Sequence, residues 1–182
     1  ETYRDFTKRW LEPVGYQRNN LFSIEWDRGN LAELDFTGLY ESFYMLSYGE
    51  IFKSDAFPDG ILAEDFENLI MTYLPVTQDE LREYAAYNEA KNTYACANLG
   101  CGNHTLAVFW TSIPEVVNIR ENDDGTWTVT VDAVCERAGT DCILTHELTV
   151  DFPEKNRIRY LGNHILGDGA GRIPLYRYRV SE

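Results

Sequence analysis

The fold is decided by residues 115–162, which read EVVNIRENDDGTWTVTVDAVCERAGTDCILTHELTVDFPEKNRIRYLG. This stretch predicts consecutive antiparallel strands joined by short turns. The dipeptide Asp124-Gly125 favours a hairpin, because hairpin turns need a positive φ that glycine adopts without steric cost. We therefore expect a meander in which each strand pairs with the next one along the chain.

A period-two alternation of apolar and polar residues runs through this stretch and is typical of strands. One face of the predicted sheet is apolar and carries Trp127, Val129, Val131, Ala133, Cys135, Cys142, Leu144, His146, Leu148, Val150, Phe152, Ile158 and Tyr160. The other face carries Thr, Asp, Glu and Arg. An antiparallel sheet with one face in water has this pattern, so the apolar face needs a cover, and the N-terminal half is the expected one.

Helical spacing of apolar residues dominates the first 90 residues. The predicted helices are Glu1–Glu12, Gly38–Phe52, Ile61–Leu74 and one from Thr77 to about Tyr87. The last begins with Thr77-Gln-Asp-Glu80, a capping box in which the hydroxyl and the carboxylate satisfy free amides at the start of the helix. Short strands are expected at Tyr94–Cys96 and at Ile173–Val180.

These elements predict a single α+β domain over residues 1–182, mainly helical in 1–90 and mainly antiparallel sheet in 91–182. Helices packed on the apolar face of the meander satisfy the pattern. A roll of the cystatin or nuclear-transport-factor type is one way to build this, and such a roll encloses a pocket between helices and sheet. The pocket is expected only by analogy with other folds of that type.

The composition excludes several partners. The 182 residues carry a formal net charge of −14, which argues against nucleic acid and anionic membrane surfaces, because phosphate contacts need Lys and Arg. No run is long enough to be a transmembrane segment. The plainest interpretation of the charge is solubility.

Four cysteines form two close pairs, Cys96 with Cys101 and Cys135 with Cys142. Opposed residues in an antiparallel pair lie within disulfide range, and closing such a short loop stabilises a fold by about 2–2.5 kcal/mol. Two local disulfides favour an oxidising compartment. Buried free thiols and a four-cysteine zinc site are the alternatives, although gaps of four and six residues fit zinc poorly.

Catalytic motifs are weak in this chain. The sequence contains no GxSxG elbow and no HExxH motif, and it predicts neither a metal nor a cofactor. His146 falls on the apolar strand face, so we interpret it as a core histidine with a satisfied nitrogen. The candidates for lining a pocket are His104, Trp110, His164 and Asp168.

Three tyrosines, Tyr40, Tyr44 and Tyr48, are spaced four apart on one predicted helix. They form either a surface on which a carbohydrate or peptide stacks, or a helix flank whose hydroxyls reach solvent.

Several segments together carry a resemblance to a known family: Leu74-Pro-Val-Thr77, Gly100-Cys-Gly-Asn103, Pro114-Glu-Val-Val117, Asp124 to Val134, Thr145 to Val150 and Tyr160-Leu-Gly-Asn163. The set resembles an uncharacterised domain of predicted secreted or lipoprotein chains from clostridial gut bacteria, over roughly residues 60–166. The resemblance implies extracytoplasmic placement through a lipid anchor on a removed leader. It implies no functional residue, since that family has no assigned activity.

The predicted function is a non-catalytic cell-surface domain that binds a ligand or protein, or serves as a scaffold. The alternative is a hydrolase of unknown substrate that uses His104, His164 and Asp168 in a pocket between helices and sheet. A further alternative is a sensor whose edge strand, Ile173–Val180, pairs with a partner strand.

Overall fold

The structure is a computed structural model that describes residues 2–96, 112–134 and 142–167. Its helices are α1 (Tyr3–Phe6), α2 (Phe36–Tyr48), α3 (Ala63–Tyr73) and α4 (Gln78–Tyr84). Its strands are β1 (Ile61–Leu62), β2 (Tyr87–Asn88), β3 (Thr93–Tyr94), β4 (Ile113–Glu121), β5 (Trp127–Val134), β6 (Cys142–Glu154) and β7 (Arg157–Ile165).

The predicted meander is confirmed. Within the described residues, β4, β5, β6 and β7 form one antiparallel sheet in sequence order. The turn between β4 and β5 contains Gly125 at a φ of +84°, and the amide of Asn122 donates to the carbonyl of Thr126 at 2.8 Å. A side chain at position 125 would have to adopt that positive φ, which explains why glycine stands there.

The predicted faces of the sheet are also confirmed. Val129, Val131 and Leu148 are fully buried on one face, and so are Ile158 and Tyr160. Between β5 and β6 the register shifts at Ala133/Val134, so that Cys142 lies opposite Val134. The described part of β5 ends at Val134. Cys135, which we expected opposite Cys142, lies outside the described residues.

The N-terminal half covers the apolar face, as expected. The ring of Phe43 on α2 stacks on Tyr160 of β7, with centroids 6.0 Å apart and planes 6° apart. Phe22 stacks on His146 of β6 at 5.6 Å, and the hydroxyl of Tyr160 donates to the carbonyl of Trp10. Within the described residues, the α+β architecture therefore has one core, which lies between the helices and the meander.

The first predicted helix is present in two parts. α1 begins at a capping box made by Thr2 and Asp5, and a π-helical turn over Thr7–Leu11 continues it. Phe6 and Trp10 are buried, whereas Tyr3 is 44% exposed.

The other predicted helices exist with shifted ends. α2 begins two residues before the predicted Gly38, because the side chain of Asp35 caps it by accepting from the amide of Gly38 at 3.0 Å. α2 ends at Tyr48, where Gly49 adopts a φ of +69°. α4 begins at the predicted capping box of Thr77 and Glu80.

A small second sheet with the order β1–β3–β2 lies beside α3. It contains the strand predicted near Tyr94, which spans Thr93–Tyr94. The last predicted strand, Ile173–Val180, lies outside the described residues.

Candidate functional site

His164, one of the predicted pocket residues, lies on β7 with its side chain 63% exposed. Its Nδ1 is 2.7 Å from Oε1 of Glu25, and the same oxygen accepts a hydrogen bond from the amide of Ile165 at 2.7 Å. This contact connects the loop before α2 to β7. The other predicted pocket residues, His104, Trp110 and Asp168, lie outside the described residues.

The cleft beside His164 has a volume of about 360 Å³ and is bordered by a polar loop. Asp27 accepts from the amide of Gly29 at 2.7 Å, and Asn30 accepts from the amide of Asp27 at 2.8 Å. These side chains already stabilise the turn over residues 27–30, so the cleft offers few uncommitted polar groups.

His146 is a core histidine, as predicted. It is fully buried, with Nε2 2.7 Å from the hydroxyl of Tyr16 and Nδ1 2.7 Å from Oδ1 of Asn163. Both ring nitrogens have partners, and burial lowers its pKa to about 4. The residue is neutral at physiological pH and contributes to the packing of the core.

Two of the four cysteines lie in the described part of the chain. Cys96 is buried, with its sulfur 3.9 Å from the carbonyl oxygen of Phe57. Cys142 is half-buried, with its sulfur 3.3 Å from the carbonyl oxygen of Leu144. Their expected partners, Cys101 and Cys135, lie outside the described residues, so both disulfides stay predictions.

The tyrosine row on α2 runs from the core to the surface. Tyr40 is buried, Tyr44 is half-buried and Tyr48 is 62% exposed. The ring centroids of Tyr40 and Tyr44 are 6.2 Å apart, and those of Tyr44 and Tyr48 are 4.7 Å apart. The row is thus a continuous series of contacting rings, of which only the outer end is accessible to a ligand.

A cleft opens beside this row, between α2 and α3, and we call it the aromatic cleft. Its volume is about 450 Å³, and its lining consists of Tyr40, Tyr44, Ser47, Tyr48, Phe52, Phe57, Ile61, Asp65, Asn68, Leu69 and Thr72. Phe52 contacts Tyr44 with centroids 5.4 Å apart and stacks on Phe57 at 5.2 Å. Because Tyr48 is 62% exposed and Phe57 is 39% exposed, the cleft has two accessible aromatic rings in its lining.

Polar groups from α3 lie along the same cleft. Asp65 and Asn68 are three residues apart, so they project from one face of α3. In the part of the chain that the structure describes, neither side chain makes a hydrogen bond or ion pair. Burial and the nearby carboxylate of Asp65 raise the pKa of the Tyr40 hydroxyl. The aromatic cleft therefore combines ring faces with a carboxylate, a carboxamide and hydroxyls that are available to a ligand.

The sequence predicted the tyrosine row of this cleft, as either a stacking surface or a solvent-facing helix flank, but it did not predict the α3 side. Asp65, Asn68 and Thr72 recur at helical spacing beside Leu69, which is the signal that a polar strip borders the core on α3. Nothing in the sequence placed that strip opposite the tyrosines, because α2 and α3 are joined by an irregular segment.

Among the described residues, no group of three or more His, Cys, Asp or Glu side chains is arranged to hold a metal ion. None of the helices in residues 2–96, 112–134 and 142–167 has the length and apolar character needed to span a membrane.

Comparison with known proteins places the chain in a family. Neither the curated proteins nor the solved structures contain a match. One family, described as a family of unknown function (DUF6070), matches residues 1–179, which is nearly all of the 182-residue chain. This chain therefore belongs to the DUF6070 family of unknown function.

Proposed function

We propose that this chain is a non-catalytic, extracytoplasmic binding domain whose aromatic cleft holds a neutral oligosaccharide. The observation that carries the proposal is that two accessible rings, Tyr48 and Phe57, line the same cleft as the uncommitted side chains of Asp65 and Asn68.

The rings supply the apolar half of the recognition. Tyr48 and Tyr44 are in contact, and Phe57 is supported from behind by Phe52. Aromatic faces carry negative charge density, and the face of a sugar ring presents C–H groups polarised the other way. Tyr44 and Phe52 restrict the motion of the accessible rings, so that little side-chain entropy is lost on binding.

The polar strip on α3 distinguishes a sugar from a proline-rich peptide, the other ligand that aromatic grooves select. A carboxylate only accepts hydrogen bonds, and a carboxamide both donates and accepts. Sugar hydroxyls donate and accept, so they satisfy Asp65 and Asn68 together. Proline has no N–H, so the proline residues of a proline-rich peptide supply no backbone donor to the carboxylate of Asp65.

The negative charge of the chain favours neutral sugars over acidic ones. The chain carries a net charge of −14, and Asp65 adds a local negative charge at the cleft itself. Uronic acids and sulfated sugars would be repelled, whereas a neutral sugar chain meets no such penalty.

Extracytoplasmic placement is the second part of the proposal. The cysteines lie in two close pairs, at spacings of five and seven positions, which suits local disulfides in an oxidising compartment. The resemblance to domains of secreted or lipoprotein chains from clostridial gut bacteria supports the same placement, with tethering by a lipid anchor.

The test is a binding screen against neutral cello-, xylo-, manno- and malto-oligosaccharides, followed by calorimetry on Tyr48→Ala. We expect at least one series to bind, and Tyr48→Ala to weaken that binding about 5- to 30-fold, which is the effect of losing ~1–2 kcal/mol. The matched control is Tyr3→Ala, because Tyr3 is similarly exposed but lies on α1, away from the cleft.

Two results would contradict the proposal. One is the absence of saturable binding to any neutral oligosaccharide. The other is an affinity that Tyr48→Ala and Tyr3→Ala leave equally unchanged, since the sugar would then bind elsewhere.

A further inference from the structure

A second cleft shares Phe52 with the aromatic cleft, and the buried residue Glu41 is part of its lining. Glu41 belongs to α2 and is only 6% exposed. Among the described residues, its side chain makes no hydrogen bond and no ion pair within 4.0 Å. A carboxylate buried in this way costs free energy until a donor or cation reaches it.

We call this the Glu41 cleft, and its remaining lining is of mixed charge. Its volume is about 540 Å³, and beside Glu41 it is lined by Arg18, Ile51, Phe52, Lys53, Ser54, Asp55 and Ala56. In the described part of the chain, Arg18, Lys53 and Asp55 form no ion pair. The cleft thus offers cations and anions that do not neutralise each other by direct contact.

Gly38 explains how Arg18 comes to lie over α2. A Cβ atom at position 38 would be 1.9 Å from the carbonyl oxygen of Arg18, so the loop backbone passes directly against the helix there. Gly38 is three residues before Glu41, which places Arg18 near the carboxylate. Burial raises the pKa of Glu41 to about 7, and this effect outweighs that of the Arg18 guanidinium, which lowers the pKa.

We propose that the Glu41 cleft binds a free α-amino acid with an apolar side chain. The ammonium group of the ligand donates to Glu41, its carboxylate accepts from Arg18 with help from Lys53, and its side chain packs on Ile51 and Phe52. An ammonium ion has three donors and no acceptor, which is what an unpartnered carboxylate requires. A guanidinium matches a carboxylate through two parallel hydrogen bonds.

Other small ligands fit this cleft less well. A divalent cation needs several oxygen ligands, and Arg18 and Lys53 would repel it. A phosphate would be repelled by Glu41 and Asp55. Only a zwitterion uses both signs of charge together with the apolar wall.

The experiment is calorimetric titration of the whole chain with L-leucine and with isoamylamine, which is leucine without its carboxylate. We expect L-leucine to bind and Glu41→Gln to weaken that binding at least ~10-fold. Glu50→Gln is the matched control, because Glu50 is exposed just after α2 and does not line the cleft. Arg18→Gln should weaken the binding of L-leucine without weakening that of isoamylamine, which has no carboxylate for Arg18 to bind.

The pH dependence provides an independent readout. The charged groups that act on or line the cleft with Glu41 are Arg18, Asp35, Lys53 and Asp55. Because Glu41 ionises near pH 7, binding of L-leucine should tighten between pH 6 and pH 8 and should release a proton at pH 6.

Three outcomes would overturn the inference. They are no saturable heat from L-leucine up to about 10 mM, an affinity that Glu41→Gln leaves unchanged, and an affinity that is lost in Tyr48→Ala instead. None of these depends on the sugar, so this inference and the proposed function fail separately.

Discussion

At the scale of single residues, His146 is the polar group that the core accommodates most completely. Asn163 donates through Nδ2 to the carbonyls of Phe22 and Ile24 at 3.1 and 2.8 Å, which fixes Oδ1 toward the histidine. Oδ1 can only accept, so Nδ1 of His146 carries the proton. Nε2 is then the acceptor for the hydroxyl of Tyr16.

We therefore predict a neutral His146 with its proton on Nδ1. Burial lowers its pKa to about 4 from an ordinary value of 6.5, so the folded chain should show no titration of this ring between pH 5.5 and 8. Long-range ¹H–¹⁵N spectra of the imidazole report both the charge and the tautomer. A midpoint near 6.5, or a proton on Nε2, would contradict the assignment.

Glu41, unlike His146, is expected to titrate near neutral pH. Its pKa is about 7 in the folded chain against an ordinary value of 4.5, so folding favours its protonated form. That contribution to stability is present below pH 4.5 and is lost as the pH rises through 7.

Glu41→Gln removes the ionisation and should therefore be more stable than the parent chain at pH 8, by about 1–2 kcal/mol. This stability difference is smaller than the full pKa shift of Glu41 would give, because water in the cleft partly screens the carboxylate. The difference should vanish near pH 4.5. Urea unfolding at both pH values measures it, and Glu50→Gln should show no such dependence. A Glu41→Gln variant that is less stable at pH 8 would contradict the account.

At the scale of elements, the start of α2 sets the geometry of the Glu41 cleft. Asp35 caps the helix, and Gly38 allows the carbonyl of Arg18 to approach it. Both residues lie at the first turn of α2, so substitutions there should change the shape of the cleft.

We expect Gly38→Ala to destabilise the chain by about 1–3 kcal/mol, the usual cost of inserting an atom where there is no room. Thermal unfolding measures the effect. Ser47→Ala is the matched control, since Ser47 is exposed on the same helix and should change stability by less than ~0.5 kcal/mol. If Gly38→Ala stabilises the chain, as alanine does in an open helix, then Arg18 does not lie where the structure places it.

The meander and the capping box at Thr77 were predictable from sequence, because their signals are local. The alternation around Val129 and Val131, the turn at Gly125 and the cap at Thr77 each depend on residues within a few positions. The start of α2 was misplaced because Asp35 was not recognised as its cap.

Glu67 shows what local patterns miss. It is almost fully buried, and it accepts from Arg82 at 3.0 and 3.2 Å, from Gln78 at 3.1 Å and from the hydroxyl of Tyr94 at 2.9 Å. Burial by itself would raise its pKa, but these hydrogen bonds hold the pKa below its ordinary value. Its partners come from α4 and β3, so no pattern within α3 identifies it.

The candidate site was predictable in part for the same reason. The spacing of Tyr40, Tyr44 and Tyr48 is visible in the sequence, but their different exposures result from packing against Phe52 and the neighbouring α3. The burial of Glu41 depends on a loop more than twenty residues earlier in the chain.

At the scale of the whole molecule, the helices cover one face of the meander. The roll of the cystatin or nuclear-transport-factor type stays a prediction. So does the single domain over residues 1–182, because several segments lie outside the described residues.

The disulfides are the whole-molecule feature most open to test. We predict that intact mass with alkylation changes only after reduction, and that peptide mapping links Cys96 to Cys101 and Cys135 to Cys142. Alkylation of four thiols without reduction would contradict the pairing and remove the main support for extracytoplasmic placement.

The most direct test of the central claim is an isotope-filtered NOE experiment on a complex with a neutral oligosaccharide from the binding screen, with ¹³C-labelled tyrosine rings in the protein. The account predicts NOEs from sugar ring protons to the rings of Tyr48 and Tyr44, which line the aromatic cleft. NOEs confined to Tyr3 or Tyr84, which are exposed on α1 and α4, would contradict it.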